Sequence, residues 1–455
     1  MNQSQPKNQT VALNTPVPGP RSRQLRVIED TMLAPGAQGY ALRSGIVVDH
    51  GRGSAVTDVD GNTFLDFIGG IAVNALGHSH PTFVEAVATQ VTKASAGTFT
   101  SEKRVELLQR VSKLAPAPGI TKAQLYSGGA EAVESALRLA KSHTGKYEFV
   151  SFWGGFHGKT MGALSLMGST FKQGLGPMVP GSHITPYADC YRCPLGLEYP
   201  SCGLACAELT RKQVKLTTTG KIAAFLIEPM QGTAGNIIPP ADFLPAIASI
   251  AKENDALFIA DEMITGFGRT GKTWGIDHSG VVPDIVTIGK AFGGGFPLTG
   301  VLTSDAIASA KPWSNESGSS SSYGGNALAA AAGAASLRII EEEQLVENSR
   351  VVGAMLLREL LPFVERYPFV GLVTGAGMLL RMELVTDKKS REPLPRTVTH
   401  RLFDALVQHG LLTMAYSPNF RLQPSLTLDE GTAANGVQIL RDVFDIMAKE
   451  RWHEQ

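Results

Sequence analysis

The chain has 455 residues, of which 43% are hydrophobic and 18% charged, and its 41 basic and 41 acidic residues give a formal net charge of zero. This length and balance are typical of a globular protein with two domains, or with one large domain and a smaller one attached. The neutral balance argues against nucleic acid and against an anionic membrane as partner, and favours a small molecule or another protein.

The amino-terminal stretch, residues 1–20, is polar and rich in proline. It lacks the apolar segment of a secretory signal peptide. No run in the chain approaches the roughly 20 apolar residues that a membrane span needs. The sequence therefore predicts a cytoplasmic protein that does not span a membrane.

In chain order, the first predicted element is a hairpin within Val47–Phe67, where an Asp-Gly turn lies between apolar runs. Further along, the periodic stretch Phe243–Lys252 suits a crossover helix between buried parallel strands. The strand-like runs are Ile222–Ile227, Ala256–Ala260 and Ile285–Ile288. A loop is expected at Ser317–Ser322 and a long alanine-rich helix after Gly324. This alternation predicts an α/β sheet covered on both faces.

The same pattern suggests a division into domains. Residues 83–335 are expected to form a large domain around the sheet. Residues 1–82, which contain the hairpin, and residues 336–455, which have a mixed helix and strand pattern, are expected to form a smaller domain from both chain ends.

One segment matches a nucleotide-binding pattern. Gly266–Thr273 fits the GxxxxGK[ST] expression of P-loops, in which a helix must begin at the lysine so that its N-terminus holds the phosphates. Here Gly275, Gly280 and Pro283 prevent a helix of useful length. Asp261 and Glu262 also place negative charge at the end of the preceding strand, so we expect no nucleoside triphosphate site.

Two titratable residues end apolar, strand-like runs. Asp261 follows ALFIA and Lys290 follows IVTIG, so both are expected at the edge where α/β sheets bind ligands. The apolar run would bury the stem of Lys290, lower its pKa and favour Schiff-base formation. A buried Asp261 would need a cationic partner such as a protonated ring nitrogen. Each residue alone also suits a plainer role, as a surface lysine or a helix-capping aspartate.

Two glycine-rich segments precede these residues. Ser127–Ala132 opens a predicted helix, where a phosphate could approach free N–H groups. Trp153–Gly158 places aromatic residues between glycines, and an aromatic face is a natural stacking partner for a planar cofactor. Taken alone, a segment like the first is more often a plain turn, and the second is equally typical of a core aromatic residue in a turn.

Together these features resemble the class III aminotransferases, the group that contains 4-aminobutyrate, ornithine and acetylornithine transaminases. The resemblance covers about Gly45 to Thr427, in the segments DVDGNTFLDFIGGIAVNALGHSHP, SGGAEAVESALRLA, GGFHGKT, AAFLIEPMQG, ADEMITGFGRTGKTWGIDHSGVVPDIVTIGKAFGGGFPL, SYGGNAL and RLQPSLT. It implies a pyridoxal 5'-phosphate enzyme of fold type I, with a large, mainly parallel α/β sheet domain and a smaller α+β domain from both chain ends. It also implies a homodimer with shared active sites.

The resemblance implies roles for four residues around the cofactor ring. Lys290 would bind the cofactor as a Schiff base and then move the substrate proton. Asp261 would pair with the pyridine nitrogen and keep it protonated. Phe156 would stack on the ring, with His157 beside it.

It also implies contacts to the phosphate and to the substrate. Gly129 and Ala130 would bind the phosphate through backbone N–H groups, and Ser322 would reach it across the dimer. Arg421 would clamp the substrate α-carboxylate, for which a bidentate guanidinium is suited. Lys159 stands where 4-aminobutyrate enzymes place an arginine for the distal carboxylate.

Three departures from the family bear on the substrate. Ala130 replaces a frequent serine or threonine, so only its backbone contact remains. Ile264 stands where many members have a glutamine against the phenolic oxygen of the cofactor. Thr233 stands where 4-aminobutyrate enzymes have a glutamate that neutralises the carboxylate-binding arginine. The expected reaction is amino transfer from an ω-amino acid or amine to a 2-oxo acid such as 2-oxoglutarate or pyruvate; the alternative is an amino-acid racemase or epimerase on the same scaffold.

The cysteines form a separate pattern. All 4 lie in one C-x2-C-x8-C-x3-C segment, as Cys190, Cys193, Cys202 and Cys206. Four thiols at this spacing could hold a structural zinc ion, and they could equally be reduced packing residues. In either case we expect the loop to lie outside the chemistry.

Overall fold

The computed structural model describes residues 5–455, so the first four residues of the predicted amino-terminal segment lie outside it. The described chain divides into two units. The first unit extends to Val84 and resumes from Gln344 to Gln455, and the second is Glu85–Glu343. No helix within residues 5–455 is long and apolar enough to cross a membrane.

The amino-terminal part of the first unit is built on a hairpin. Its elements are α1 (Pro20–Asp30), α2 (Gly39–Ser44), β1 (Val48–Arg52), β2 (Ala55–Asp58), β3 (Thr63–Asp66) and α3 (Gly69–Ala72). Strands β2 and β3 pair antiparallel, and Asp58 Oδ1 closes the turn between them by accepting from the N–H groups of Asp60 and Asn62 at 2.9 and 2.8 Å. Gly61 in this turn has a φ of 85°, which favours glycine. The predicted hairpin is confirmed, with β1 as an additional strand.

Helices and strands alternate through the second unit. From residue 81 onwards the elements are α4 (Pro81–Val91), α5 (Glu102–Lys113), β4 (Lys122–Tyr126), α6 (Gly129–Thr144), β5 (Glu148–Phe152), α7 (Met161–Ser165), β6 (Ser182–Thr185), α8 (Ala205–Thr217), β7 (Ile222–Ile227), α9 (Phe243–Glu253), β8 (Leu257–Asp261), β9 (Ile285–Ile288), β10 (Thr299–Thr303), α10 (Asp305–Ala308) and α11 (Ala327–Glu342). The predicted crossover helix and alanine-rich helix are α9 and α11, and the predicted loop at Ser317–Ser322 is also confirmed.

These strands form one seven-stranded sheet in the order β4-β10-β9-β8-β7-β5-β6. Strand β10 is antiparallel to both neighbours, and the pairs from β9 to β6 are parallel. Every residue of β5, β7 and β9 is buried, as expected for strands covered on both faces. The three apolar runs predicted as buried parallel strands are therefore confirmed, with β8 displaced by one residue so that it ends at Asp261.

The carboxyl-terminal part of the first unit completes the smaller sheets. Its elements are α12 (Leu345–Leu360), α13 (Phe363–Arg366), β11 (Val370–Ala376), β12 (Leu379–Leu384), α14 (Arg396–Gln408), β13 (Leu411–Leu412), β14 (Asn419–Leu422) and α15 (Glu430–Lys449). Strands β11, β12 and β14 form an antiparallel sheet, whereas β13 pairs parallel with β3. Both chain ends thus contribute to one four-stranded sheet, and the predicted fold class is confirmed.

The P-loop-like segment forms no phosphate-binding helix. Residues 271–275 are a bend, followed by a short 3₁₀ helix at Ile276–His278. Lys272 Nζ donates to the carbonyl of Asp277 at 3.0 Å instead of opening a helix. The prediction that the glycines and proline prevent a helix of useful length after Lys272 is confirmed.

Candidate active site

Four neighbouring strands of the large sheet each lead to one titratable side chain at the same edge. Lys290 follows β9, Asp261 ends β8, Glu228 follows β7 and His157 lies in the loop after β5. In the sheet these strands are adjacent, in the order β9-β8-β7-β5. The carboxyl edge of parallel strands is the usual ligand site of α/β sheets, so this cluster is the candidate active site.

Asp261 is ionised within this cluster although it is only 1% exposed. Its Oδ2 accepts from His157 Nδ1 at 2.7 Å, and its Oδ1 accepts from Thr287 Oγ1 at 2.9 Å and from the N–H of Met263 at 3.1 Å. Burial by itself would raise the pKa of Asp261, but the hydrogen bond and charge of His157 outweigh it and lower that pKa. Conversely, the contact with Asp261 overcomes the effect of burial and raises the pKa of His157.

Lys290 lies in a strained backbone conformation between a buried strand and a glycine-rich loop. Its φ of 47° is unusual for a lysine, and such outliers concentrate at functional sites. The residue is partly exposed, yet the buried surroundings lower the pKa of its amine. The charges of Asp261 and Glu228 act in the opposite direction and raise the pKa of the amine, but burial has the larger effect.

Glu228 was not identified as a site residue from the sequence. Its Oε2 accepts from the N–H of Phe156 at 2.9 Å and its Oε1 from the N–H of Gly232 at 3.0 Å. Burial raises its pKa to about 7, His157 opposes this shift and Asp261 adds to it. The available signal was a glutamate directly after the apolar run IAAFLI, in a position equivalent to those of Asp261 and Lys290 on their own strands.

The start of α6 forms a cradle bordered by glycines. The helix begins at Gly129, and Thr299 Oγ1 donates to the carbonyl of Gly128 just before it at 3.0 Å. Gly158, with a φ of 130°, lies so close that a Cβ there would come within 2.5 Å of the Cβ of Ala130. The loop that carries His157 therefore packs directly on the first turn of α6, which only glycine at 158 permits.

Phe156 and Lys159 lie on the outer side of this loop. Phe156 is half-buried and contacts Phe171 edge to face, with ring centroids 5.7 Å apart. Lys159 is exposed, and its Nζ lies 5.1 Å from the centroid of the Phe171 ring. Sequence reasoning did not identify Phe171, which joins the predicted stacking residue to the predicted carboxylate-binding lysine.

Two of the three positions at which the chain departs from the family pattern, 264 and 233, belong to segments that pack together. Ile264 is 7% exposed, and a Cβ on Gly232 would lie 2.6 Å from its Cδ1. Thr233, the next residue, is half-buried. An apolar side chain at 264 thus packs on the loop in which the family glutamate is absent.

The two remaining predicted residues, Ser322 and Arg421, belong to other elements of the chain. Ser322 is exposed in the loop before α11 of the second unit. Arg421 belongs to the first unit and is 7% exposed. It lies on β14, opposite Arg381 of β12 in the antiparallel strand pairing. Sequence similarity is the basis for assigning Arg421 to the substrate.

The cysteine loop brings its four thiols together. Cys190, Cys193, Cys202 and Cys206 line a cavity of about 20 Å³ before and at the start of α8, and none is in a disulfide. Burial raises the pKa of Cys190 to about 11, and the other three thiols add to this shift. Within residues 5–455, no group of three or more His, Cys, Asp or Glu side chains is arranged to hold a metal ion. Burial also raises the pKa of Cys206, so the thiols of Cys190 and Cys206 both favour the protonated form.

Solved structures of transaminases have a similar fold. An amine transaminase structure from an uncultivated Pseudomonas species, in its pyridoxal-phosphate-bound form, matches with a TM-score of 0.85 and 31% identity over 91% of this chain and 97% of that one. An ω-transaminase from Thermomicrobium roseum matches with a TM-score of 0.84 and 33% identity, over 92% of this chain and 98% of that one. The fold and the lysine-containing sheet edge define a pyridoxal-phosphate enzyme of fold type I.

The sequence comparisons are more specific. The aminotransferase class-III family profile matches residues 37–444. A probable 4-aminobutyrate aminotransferase of Bacillus subtilis is 33% identical over 86% of this chain and 91% of that protein. A leucine/methionine racemase of Thermococcus litoralis is 31% identical over 88% of this chain and 91% of that protein. The chain belongs to the class III aminotransferase family, whose members use pyridoxal phosphate.

The residues present fit that cofactor. Lys290 is a partly exposed residue whose amine lies in buried surroundings that lower its pKa, which suits a covalent attachment point. Asp261 is a carboxylate at the sheet edge whose lowered pKa favours the ionised form. An ionised carboxylate has several acceptor sites on its two oxygens, so it is suited to accept from a protonated ring nitrogen as well. The glycine-bordered start of α6 offers backbone N–H groups to a phosphate.

Proposed function

We propose that the protein transfers an amino group from an ω-amino acid or a simple amine to a 2-oxo acid such as 2-oxoglutarate or pyruvate. The observation that carries this proposal is the pairing of an ionised, buried Asp261 with a desolvated Lys290 on adjacent strands. Similarity to 4-aminobutyrate, 5-aminovalerate and amine transaminases supports the donor class.

In this proposal the second unit, Glu85–Glu343, is the domain that binds the cofactor. Pyridoxal phosphate supplies covalent attachment of the amine and a ring that accepts negative charge from the neighbouring carbon. Lys290 Nζ anchors the cofactor and afterwards moves the proton at the substrate carbon. Asp261 would hold the proton on the ring nitrogen, and Phe156 would pack on the ring face with His157 beside it.

The phosphate would be bound by the backbone N–H groups of Gly129 and Ala130 and by Ser322 from the second copy of a homodimer. Arg421 would bind the α-carboxylate of the oxo acid, and Lys159 the distal carboxylate of an ω-amino donor. Because residue 233 is a threonine, the donor half-reaction proceeds without a glutamate that masks Arg421.

A screen of amino donors against pyruvate and 2-oxoglutarate tests this assignment. We expect at least one amine or ω-amino acid to be converted, with stoichiometric formation of an amino acid from the oxo acid. Absence of any amino transfer from this donor class by protein loaded with cofactor would contradict it. Size measurement in solution tests the homodimer.

A racemase or epimerase is the second candidate. It is favoured by Thr233 and by similarity to a leucine/methionine racemase and to an isoleucine 2-epimerase of Lentilactobacillus buchneri, which is 30% identical over 88% of this chain. Incubation with a single chiral amino acid and no oxo acid separates the two functions. Loss of optical purity without formation of an oxo acid would identify the racemase.

A further inference from the structure

Glu228 is the residue of the candidate site to which the proposed reaction assigns no role. It is 6% exposed and follows β7, between the strand that ends at Asp261 and the strand that precedes His157. A carboxyl group in such surroundings is costly unless polar groups of the protein stabilise it. Its contacts therefore indicate what it does.

The two oxygens of Glu228 connect two loops. Oε2 accepts from the N–H of Phe156, 72 residues earlier in the chain, at 2.9 Å. Oε1 accepts from the N–H of Gly232 at 3.0 Å. One carboxyl group thus holds the loop after β5, which contains the predicted stacking and ring-neighbour residues, against the loop after β7.

Glu228 also acts electrostatically on the groups around it. Its charge raises the pKa of His157 and of Lys290, in each case against the effect of burial. Burial raises the pKa of the Tyr187 phenol, and the charge of Glu228 raises it further. The Tyr187 hydroxyl donates to the backbone carbonyl of Glu228 at 3.1 Å. Asp261 is the like-charged neighbour that disfavours ionisation of Glu228. An ionised Glu228 therefore favours the cationic forms of His157 and Lys290.

We propose that Glu228 is a positioning residue of the cofactor site. It holds the Phe156–His157 segment through the N–H of Phe156 and the loop after β7 through the N–H of Gly232, and so keeps His157 on Asp261. This inference rests on the proposed function, because it assumes that Asp261 and Lys290 bind the cofactor. Glu228 need not touch the cofactor itself.

The requirement is for a carboxylate rather than for any polar group of this size. A carboxylate accepts at both oxygens, whereas an amide has one accepting oxygen and one donating NH₂ group. In Glu228→Gln one backbone N–H therefore faces a donor and loses its partner. Glu228→Asp keeps the charge but shortens the side chain by one methylene. It therefore distinguishes the effect of the negative charge from the effect of the hydrogen bonds to the two loops.

The chain offers a matched control in Glu262. It is 0% exposed, and burial raises its pKa to about 7, as for Glu228. Its oxygens accept from the N–H groups of Gly275 and Ile276 at 2.9 and 2.7 Å and from the hydroxyl of Thr265. Glu262→Gln is therefore the same chemical change in a buried carboxyl group whose contacts lie outside the candidate site.

The readouts are the circular dichroism of the bound cofactor's visible band, the pH midpoint of that band and the dissociation constant of the cofactor. In Glu228→Gln we expect weaker dichroism, about tenfold weaker cofactor binding and a midpoint lowered by about 0.5 pH unit or more, since a neighbouring negative charge is removed. Glu228→Asp should weaken dichroism and binding but keep the midpoint near that of the wild type. Glu262→Gln should lower the melting temperature and leave all three readouts unchanged.

The proposal is overturned if dichroism and cofactor affinity in Glu228→Gln match the wild type, or if Glu262→Gln changes them equally. If Glu228→Gln does not fold, Glu228→Asp alone decides the point, because wild-type dichroism and affinity in that variant would overturn the positioning role. Failure of the assumed cofactor site is a different result, because Lys290→Ala would then retain the visible band, whatever the Glu228 variants do. Failure of the proposed amino transfer is recognised separately, by the absence of donor conversion in protein that keeps its visible band.

Discussion

The ring nitrogen Nδ1 of His157 lies 2.7 Å from Oδ2 of Asp261, and both side chains are at most 3% exposed. Each shifts the pKa of the other toward its charged form, against the effect of burial. His157 therefore supports the ionisation and orientation of Asp261 from the side of the β5 loop, while Thr287 does so from β9. Mutations in this pair and its neighbours are expected to separate cofactor binding from catalysis.

Lys290→Ala should abolish covalent cofactor attachment without preventing folding. The side chain lies just after β9, so its removal takes away the amine and leaves the backbone pairing of β9 with β8 and β10 in place. Absorbance of the purified protein checks this, since the wild type should be yellow and the variant should lose that band. Lys272→Ala, at an exposed-loop lysine outside the site, is the control. Full activity and an unchanged band in Lys290→Ala would disprove the assignment.

Asp261→Ala should reduce activity far more than cofactor occupancy. Without the carboxylate, the ring nitrogen loses the partner that keeps it protonated, and His157 is left as a buried imidazole without its hydrogen-bond acceptor. Measured by single-turnover kinetics, the proton-transfer step should slow by more than about tenfold, or ~1.4 kcal/mol. A smaller decrease would mean that Asp261 does not pair with the ring.

The stability of the protein should depend on two buried carboxyl groups. The pKa values of Glu228 and Glu262 are raised from 4.5 to about 7 in the folded state. Between these values the folded protein keeps protons that the unfolded chain releases, so this contribution to the free energy of unfolding falls as pH rises from 4.5 to about 7. Guanidinium unfolding at several pH values should show a shallower fall in Glu262→Gln than in the wild type. Parallel pH profiles of the two proteins would contradict the raised pKa.

Arg421→Ala should raise KM for the 2-oxo acid by about tenfold or more, because the α-carboxylate loses a bidentate partner. A simple amine donor should be spared, since no glutamate at 233 is present to mask an unused cation. Lys159→Ala should weaken only donors with a distal carboxylate, and because Lys159 is exposed we expect a modest effect of about twofold to fivefold.

Kinetics with one amine and one ω-amino acid, each with a fixed acceptor, check both residues. Phe171→Leu, which removes the aromatic face beneath the Lys159 ammonium group, is a useful companion variant. If Arg421→Ala and Lys159→Ala weaken all substrates equally, both residues are structural and the donor class must be reassigned.

Activity should not depend directly on metal at the cysteine loop. The four thiols line a cavity whose other residues belong to the same loop, the start of α8 and the segment after β6. Elemental analysis of protein purified without chelator tests for zinc, and Cys206→Ser, at the buried thiol, should lower the melting temperature while leaving kcat unchanged. Loss of turnover after removal of bound zinc, with the oligomeric state preserved, would show that loop and chemistry are coupled.

The local elements and the two principal residues could be predicted from the sequence because their determinants are local. The apolar run Ile222–Ile227 coincides with β7, and Ile285–Ile288 coincides with β9. A charged residue directly after such a run must lie at the sheet edge, which places Asp261 and Lys290 there without knowledge of the strand order. Glycine-rich segments likewise marked the loop before α6 and the loop of His157.

What only the tertiary structure decided depends on partners that are distant along the chain. Glu228 accepts a hydrogen bond from the N–H of Phe156, 72 residues earlier in the chain. No local sequence pattern could predict a contact over that distance. Gly158 is required because of Ala130, and Lys159 lies over Phe171 rather than in the buried cluster. Hydrophobic periodicity sets which face of an element is buried, but a hydrogen bond or an ion pair requires atoms brought within about 3 Å, which the packing of separate elements alone determines.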